Sequence, residues 1–414
     1  MIAAEGTFGQ RIIDLAARLA EWSDTPDGLT STYLTPAHRA VAVELQKWMR
    51  DAGMSAEIDA VGNVVGRYRA DSPSARTLIL GSHYDTVRDA GRYDGRLGIL
   101  TALVAVEHLH RLGRKLPFHV DVIAFSEEEG VRFSTPYIGS SAIAGKFDAS
   151  ILERRDNEGN QLTDVMRAAG LDPKAIPMLA RAPQDLIGYL EVHIEQGPVL
   201  LHENQPVGIV TSIAGSVRQR ISITGIAGHA GTVPMALRRD AAAAAAEVVL
   251  YVERRCAATP TLVGTVGELY VPGGAINVIP GLCELTLDIR AGDDQTRDAA
   301  ALDVLAEIKR IAERRGVAIE AKEISRGDNV PCSPRIQRLL SDAVTRAGAA
   351  VRSLPSGAGH DAMQFHGVTE LGMLFVRCGN GGISHSPLET IAADDADIAA
   401  RILLDTILNF EQAA

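Results

Sequence analysis

L-I-L-G-S-H-Y-D-T-V, at residues 78–87, begins as a short apolar run and turns polar at Gly81. After it, residues 95–112 carry apolar side chains at helical spacing, and residues 118–125 (F-H-V-D-V-I-A-F) again have the composition of a strand. A strand, a helix and a second strand within about fifty residues is the βαβ pattern of a largely parallel sheet. The sequence therefore predicts an α/β fold with His83 at the carboxyl end of a strand.

The middle of the chain predicts a different arrangement. In order, we expect a strand at 217–225, a helix at 239–256, strands at 263–271 and 283–290, a helix at 294–315 and a strand at 317–324. This order, β-α-β-β-α-β, is the split βαβ unit of ferredoxin-like domains. Because 414 residues exceed what one core usually organises, we predict an inserted domain at 213–325 within a mostly parallel-sheet domain formed by 1–212 and 326–414.

Charge and composition exclude several classes of partner. The net charge of −11 argues against nucleic acid or an anionic membrane surface as the main partner. The N-terminal stretch M-I-A-A-E-G-T-F-G-Q lacks the basic and apolar regions of a secretory signal, and the alanine-rich residues 241–249 are too short to span a bilayer. Four well-separated cysteines without a C-x-x-C pair suit a reducing compartment, so we predict a cytoplasmic protein.

Carboxylates cluster after the predicted strands. Asp85, two residues beyond His83, can hold the second ring nitrogen of a metal-bound histidine. Asp94 precedes the predicted helix, where capping the helix is the alternative role. Glu127–Glu129 follow the strand at 118–125; adjacent carboxylates repel one another unless cations are near, and a solvated acidic loop is the alternative.

Two further histidines complete a possible ligand set. His193 lies within a predicted strand, in E-V-H-I-E-Q-G-P-V, where a histidine is more often a core residue than a ligand. His385 lies in the glycine-rich loop G-I-S-H-S-P-L-E. Imidazole and carboxylate ligands together suit Zn²⁺ or Mn²⁺. The sequence therefore predicts a site for divalent metal ions.

Longer motifs, in order along nearly the whole chain, resemble the hydantoinase/carbamoylase branch of the dinuclear metal aminoacylase and carboxypeptidase superfamily. They are G-S-H-Y-D-T-V, Y-D-G-R-L-G, S-E-E-E-G-V-R-F, V-H-I-E-Q-G-P-V-L, G-H-A-G-T-V-P-M, N-V-I-P-G, S-G-A-G-H-D-A-M and G-G-I-S-H-S-P. The resemblance implies that the inserted domain is a lid and dimerisation domain, and that the protein is a homodimeric enzyme with two divalent ions per subunit.

The resemblance also assigns roles to single residues. The implied metal ligands are His83 with His193 on one ion, Glu128 with His385 on the other, and Asp94 between them. The implied catalytic groups are Glu127 as general base, His229 as donor to the oxyanion and Asp85 as support for His83. The implied substrate contacts are Gln196, His229, Asn277 and Arg290. A surface role for Arg290 and a turn role for Asn277 are the alternatives, and His360 stays outside the metal set.

The implied reaction is hydrolysis of a ureido C–N bond in a small molecule. Within that branch, D-A-G-R-Y-D-G, G-H-A-G-T-V-P-M and G-M-L-F-V-R-C with G-G-I-S-H-S-P most resemble enzymes that act on allantoate, which would yield ureidoglycine, ammonia and carbon dioxide. The first alternative is an N-carbamoyl-L-amino acid as the substrate. The second is a metal-free binding or scaffolding relative, which the presence of every ligand position disfavours.

Overall fold

The computed structural model describes residues 8–410. Residues 1–7 and 411–414, which include most of the stretch that argued against a secretory signal, lie outside the described residues. The chain forms two compact units. Among the described residues, the first contains 8–211, 332–354 and 359–410, and the second contains Ser212–Pro331 and Pro355–Ala358.

Helices and strands alternate through most of the described chain. The strands are β1 (Ser55–Ile58), β2 (Val64–Tyr68), β3 (Thr77–His83), β4 (His119–Phe125), β5 (Leu186–Ile194), β6 (Val207–Ile213), β7 (Gly215–Thr224), β8 (Gly228–His229), β9 (Val263–Thr265), β10 (Leu269–Tyr270), β11 (Val278–Ile279), β12 (Leu282–Ala291), β13 (Ala318–Gly327), β14 (Val330–Pro331), β15 (Ser353–Ser356) and β16 (Leu371–Val376). The α-helices are α1 (Phe8–Leu19), α2 (Pro36–Asp51), α3 (Arg96–Arg111), α4 (Ile138–Ile143), α5 (Leu162–Ala168), α6 (Val199–His202), α7 (Ala241–Ala257), α8 (Asp294–Arg315), α9 (Pro334–Arg346) and α10 (Ala393–Leu408). Short 3-10 helices lie at Ala149–Glu153, Pro173–Leu179, Pro183–Asp185, Met235–Leu237, Asp361–Phe365 and Asn380–Gly382.

The first unit is built on a mostly parallel sheet. Its strand order is β1-β2-β4-β3-β5-β16-β6, and the neighbours from β4 to β16 are parallel. Every residue of β3, β4, β5 and β16 is buried, as expected where both faces of a parallel sheet are covered. Helix α3 makes the crossover from β3 to β4, so the predicted βαβ unit and the α/β fold are confirmed.

Helix α3 lies very close to two strands. A Cβ atom added to Gly98 would lie 2.1 Å from the carbonyl oxygen of Val192 and 2.8 Å from the Cβ atom of Ser82. Only glycine permits this approach. The contact fixes α3 against the residues directly preceding His83 and His193.

The second unit contains an antiparallel sheet with two long helices. Its strand order is β10-β12-β7-β13, with β9 also paired to β12, and helices α7 and α8 share a hydrophobic core with the sheet. The elements follow the order β-α-β-β-α-β, although the strand expected at 263–271 is divided into β9 and β10. No pattern in the sequence predicted the short ribbon in which β8 pairs with β11. Among residues 8–410, no helix is long and apolar enough to cross a membrane.

Candidate active site

Three strands of the first unit deliver side chains to one edge of the sheet. His83 is the last residue of β3, His193 lies one residue before the end of β5, and Glu127–Glu129 begin two residues after the end of β4. The carboxyl ends of parallel strands meet at one edge, which is where α/β proteins bind ligands. Nearly all of these side chains are buried, although His385, which joins them from a later loop, is about half exposed.

Both carboxylate oxygens of Asp94 face imidazole nitrogens. Its Oδ1 is 3.6 Å from Nε2 of His83 and 3.3 Å from Nε2 of His193. Its Oδ2 is 3.2 Å from Nε2 of His385. Asp94 does not cap α3, because the N-cap residue is Gly95 and no side chain bonds there. This overturns the capping alternative and leaves the carboxylate available as a bridge.

The chemistry of these donors fits a metal ion. Oδ1 of Asp94 is buried and has no hydrogen-bond donor, although it faces two imidazole nitrogens. Buried carboxylate oxygens are normally satisfied, and a divalent cation held by all three residues would satisfy this one. Ligand atoms of His83, Asp94 and His193 lie within 4.8 Å of one another, and so do those of Asp94, Glu129 and His385.

The second of these groups differs from the sequence assignment. The family resemblance implied that Glu128 and His385 share an ion. In the structure, Oε1 of Glu129 lies 3.5 Å from Nε2 of His385, and ligand atoms of Glu128 lie near those of His83 and Glu129. Both oxygens of Glu127, expected to be the general base, are buried without a hydrogen-bond partner. Side chains alternate between the two faces of a sheet only within a strand. The three glutamates lie beyond the end of β4, so the directions of their side chains depend on contacts with residues distant in sequence.

Asp85 provides those contacts. Its two carboxylate oxygens accept the backbone N–H groups of Glu128 and Glu129 at 3.0 and 3.2 Å. Nδ1 of His83 lies 3.4 Å from Oδ1 of Asp85 and 3.1 Å from its backbone oxygen. Asp85 is therefore placed to orient both the His83 ring and the backbone that carries the glutamates.

The electrostatics of the site reflect burial opposed by charge pairing. Burial lowers the pKa of His193 to about 4. Contact with Asp94 raises the pKa of His385 to about 9, despite partial burial. Burial and the charge of Asp94 raise the pKa of Glu129 to about 7. Burial opposes the charged form of His83, but Asp85 and Asp94 outweigh it and hold its pKa well above the usual value.

Two residues of the site have left-handed backbones. Gln196 has φ 56° and His385 has φ 54°, values that residues other than glycine rarely adopt. Gln196, expected to contact substrate, donates from Nε2 to Oδ2 of Asp94 at 2.9 Å. Such backbone conformations persist only where the surroundings enforce them, and they cluster at functional sites.

Sequence patterns missed several residues around the ligands. Ser384 and Glu389 contact Asp94 or its backbone, and only their proximity to His385 in the chain hinted at this. The ring of His360 packs edge-on against that of His193, with centroids 4.5 Å apart. Ligand atoms of Glu191 also lie within 4.8 Å of those two histidines, although no sequence pattern singled out this glutamate.

The remaining predicted substrate residues belong to the second unit. His229 is exposed on β8, so it is not a buried core histidine, and its Nδ1 accepts the N–H of Gly231 at 3.0 Å. Asn277 is exposed beside β11. Arg290, on β12, donates to Asp288 and to the carbonyl of Gly357.

Two imidazole–carboxylate groups that share one buried aspartate could hold a pair of metal ions at the edge of a mostly parallel sheet, as expected of a dinuclear metal hydrolase. Comparison with known proteins agrees with this class. The model of peptidase family M20/M25/M40 matches residues 79–409, and the chain belongs to this family. It is an amidohydrolase of the dinuclear metal type.

Relatives of two activities match the chain at almost full length. An N-carbamoyl-L-amino acid amidohydrolase of Geobacillus stearothermophilus is 38% identical, covering 98% of this chain and 99% of its own. A probable allantoate deiminase of Oryza sativa subsp. japonica is 40% identical, covering 98% and 90%. The structure of a hydantoinase/carbamoylase family amidase from Burkholderia multivorans has a TM-score of 0.91 and 31% identity over 97% of this chain and 98% of its own.

Divalent ions should stabilise the fold through Asp94. Adding Zn²⁺ or Mn²⁺ to chelator-treated protein should raise the midpoint of thermal unfolding, because about 2.7 kcal/mol is gained at a hundred times the Kd. Asp94→Asn should lose most of this rise. Asp240→Asn, which replaces the carboxylate that caps α7, is the control and should keep it. An equal rise in the Asp94 variant would contradict the shared-carboxylate site.

Proposed function

We propose that this enzyme hydrolyses a ureido C–N bond of allantoate with two divalent ions. One ion would be held by His83, His193 and Asp94, and the other by Asp94, Glu129 and His385. The observation that carries the proposal is the carboxylate of Asp94, whose two oxygens face different imidazole groups. Zn²⁺ and Mn²⁺ both accept these ligands.

Glu128 is the general base in this proposal, in place of Glu127. Bound ions would lower the pKa of a water molecule and polarise the carbonyl under attack. Ligand atoms of Glu128 lie beside those of His83 and Glu129, and Asp85 fixes its backbone. Glu127 is fully buried. Burial raises its pKa well above the usual value, and the nearby charge of Asp85 raises it further. The carboxylate of Glu128 would accept the proton of water and return it to the leaving nitrogen.

Matched glutamine variants separate the three glutamates. Glu128→Gln should keep both ions and lose turnover by about 10²–10⁴, the usual effect of removing a general base. Glu129→Gln should bind fewer ions, and Glu127→Gln should keep its ions and most of its turnover. Metal content and ammonia release from the purified variants measure these effects. Loss of turnover only in Glu127→Gln would restore the sequence assignment.

Recognition of the substrate carboxylate is assigned to Arg290. A planar guanidinium can bind a carboxylate through two parallel hydrogen bonds. Asp288 holds this guanidinium at 3.1 Å from Nε and 2.9 Å from Nη2, and it also accepts from Arg218 at 3.1 Å. Arg290, Asp288 and Arg218 line a cavity of about 670 Å³. Glu268 and Thr286 also line it. Polar groups of this kind suit the second ureido arm of allantoate.

Ammonia release from a panel of ureido compounds tests the substrate. Allantoate should have a higher kcat/KM than N-carbamoyl-L-amino acids, because only allantoate carries two ureido groups as well as a carboxylate. Arg290→Gln should raise KM for allantoate more than it lowers kcat. A higher kcat/KM for an N-carbamoyl-L-amino acid would favour the alternative substrate class, which relatives at 36–38% identity also support.

His229 is proposed to act in a homodimer, on the active site of the other subunit. The backbone N–H of Gly231 donates to Nδ1 of His229, which leaves the ring proton on Nε2 as an outward hydrogen-bond donor. Such a donor can stabilise the oxyanion that develops during hydrolysis. Large exposed apolar side chains lie near it in sequence or beside β11, the strand that pairs with β8, and they suit burial against a second copy. They are Ile226, Met235, Leu237 and Ile276.

A cytoplasmic location is also proposed for the enzyme. All four cysteines are buried and free, which suits a reducing compartment.

Mixing two inactive variants tests this arrangement. His229→Ala should lower turnover by about 10²–10³ without losing metal, as for other oxyanion donors. When subunits of His229→Ala and Glu128→Gln exchange, each mixed dimer should contain one site with neither defect. About half of the wild-type activity per mixed dimer should then return. If exchange is demonstrated and no activity returns, His229 serves its own subunit.

A further inference from the structure

The backbone beside Asp94 is bound by a carboxylate from far along the chain. Oε1 of Glu389 accepts the N–H of Tyr93 at 2.7 Å and the N–H of Asp94 at 3.2 Å. Glu389 is 4% exposed, and a Cβ atom added to Gly91 would lie 2.2 Å from its carboxyl carbon. The segment before Asp94 is therefore packed closely around this one carboxylate.

Ser384 makes a second connection between the same segments. Its hydroxyl is 2.8 Å from Oδ2 of Asp94 and 3.2 Å from Oε2 of Glu389. A hydroxyl carries one proton, so the shorter distance favours donation to Asp94. Ser384 comes directly before His385, and Glu389 comes four residues after it. The loop that carries His385 thus holds Asp94 by its backbone and by its side chain.

We propose that Ser384 and Glu389 form a clasp that positions Asp94 against His385 and so sets the affinity for metal. This inference rests on the proposed metal site. The two residues flank His385 on both sides, which explains how its left-handed backbone at φ 54° is held in place. Groups that orient metal ligands typically change metal affinity by about 10–100-fold when they are removed. Glu389 and Ser384 are positioning residues in this sense, since they act through Asp94.

Metal affinity of purified, folded protein tests the clasp, measured by competition with a chromogenic chelator for Zn²⁺. Glu389→Ala should weaken binding about 10–100-fold. Glu389→Gln should remain within a few-fold of the wild type, because its amide oxygen can accept the same two N–H groups. Ser384→Ala, the milder change, should weaken binding while leaving the fold intact, so the test survives if Glu389→Ala does not fold.

Asp156→Ala provides the matched control. Asp156 also accepts two backbone N–H groups, from Glu158 and Asn160, and its side chain is 5% exposed, but it does not contact the Asp94 loop. It should lose stability without losing metal affinity. Wild-type affinity in both Ser384→Ala and Glu389→Ala would overturn the clasp, and so would equal losses in Glu389→Gln and Glu389→Ala. Wild-type protein that binds fewer than two ions would overturn the dinuclear proposal itself.

Discussion

The active site depends on one buried charge. Asp94 is 4% exposed, and its carboxylate could not remain ionised there without cations or donors around it. Burial favours its neutral form, but His385, His83 and His193 hold its pKa well below the usual value. Each oxygen faces a different part of the chain, so the position of this carboxylate decides which imidazoles can share a ligand. The other side chains of the site are arranged around it.

The fold supplies this arrangement at a cost in stability. Parallel strands bring His83, His193 and the glutamates to one edge, where several ionisable groups become buried together. Burial raises the pKa of Glu127 and of Glu128 well above the ordinary value. A carboxylate cluster of this kind is unfavourable in a metal-free core and favourable around divalent cations, as expected when a site is selected for catalysis rather than for stability.

Reaction class and substrate rest on different residues. The ligands of the proposed ions all lie in the first unit, and they indicate attack on a polarised carbonyl. Arg290, Asn277 and His229, on which substrate choice is proposed to depend, lie in the second unit. Relatives named for N-carbamoyl-L-amino acids and relatives named for allantoate are almost equally similar to this chain. Overall similarity therefore does not distinguish between the two substrates.

Local patterns determined the elements and the ligand types. Apolar periodicity located β3, α3 and β4, and it bounded α8 at 294–315, because helix and strand periods depend on neighbours a few residues apart. Short motifs and the family resemblance, rather than periodicity, singled out His83, Asp94, His193 and His385, which the structure brings together. Only the tertiary structure placed Glu129 beside His385, excluded a capping role for Asp94 and revealed Glu389. The contacts of Glu129 and Glu389 join residues as much as 296 positions apart in the chain, which no local period records.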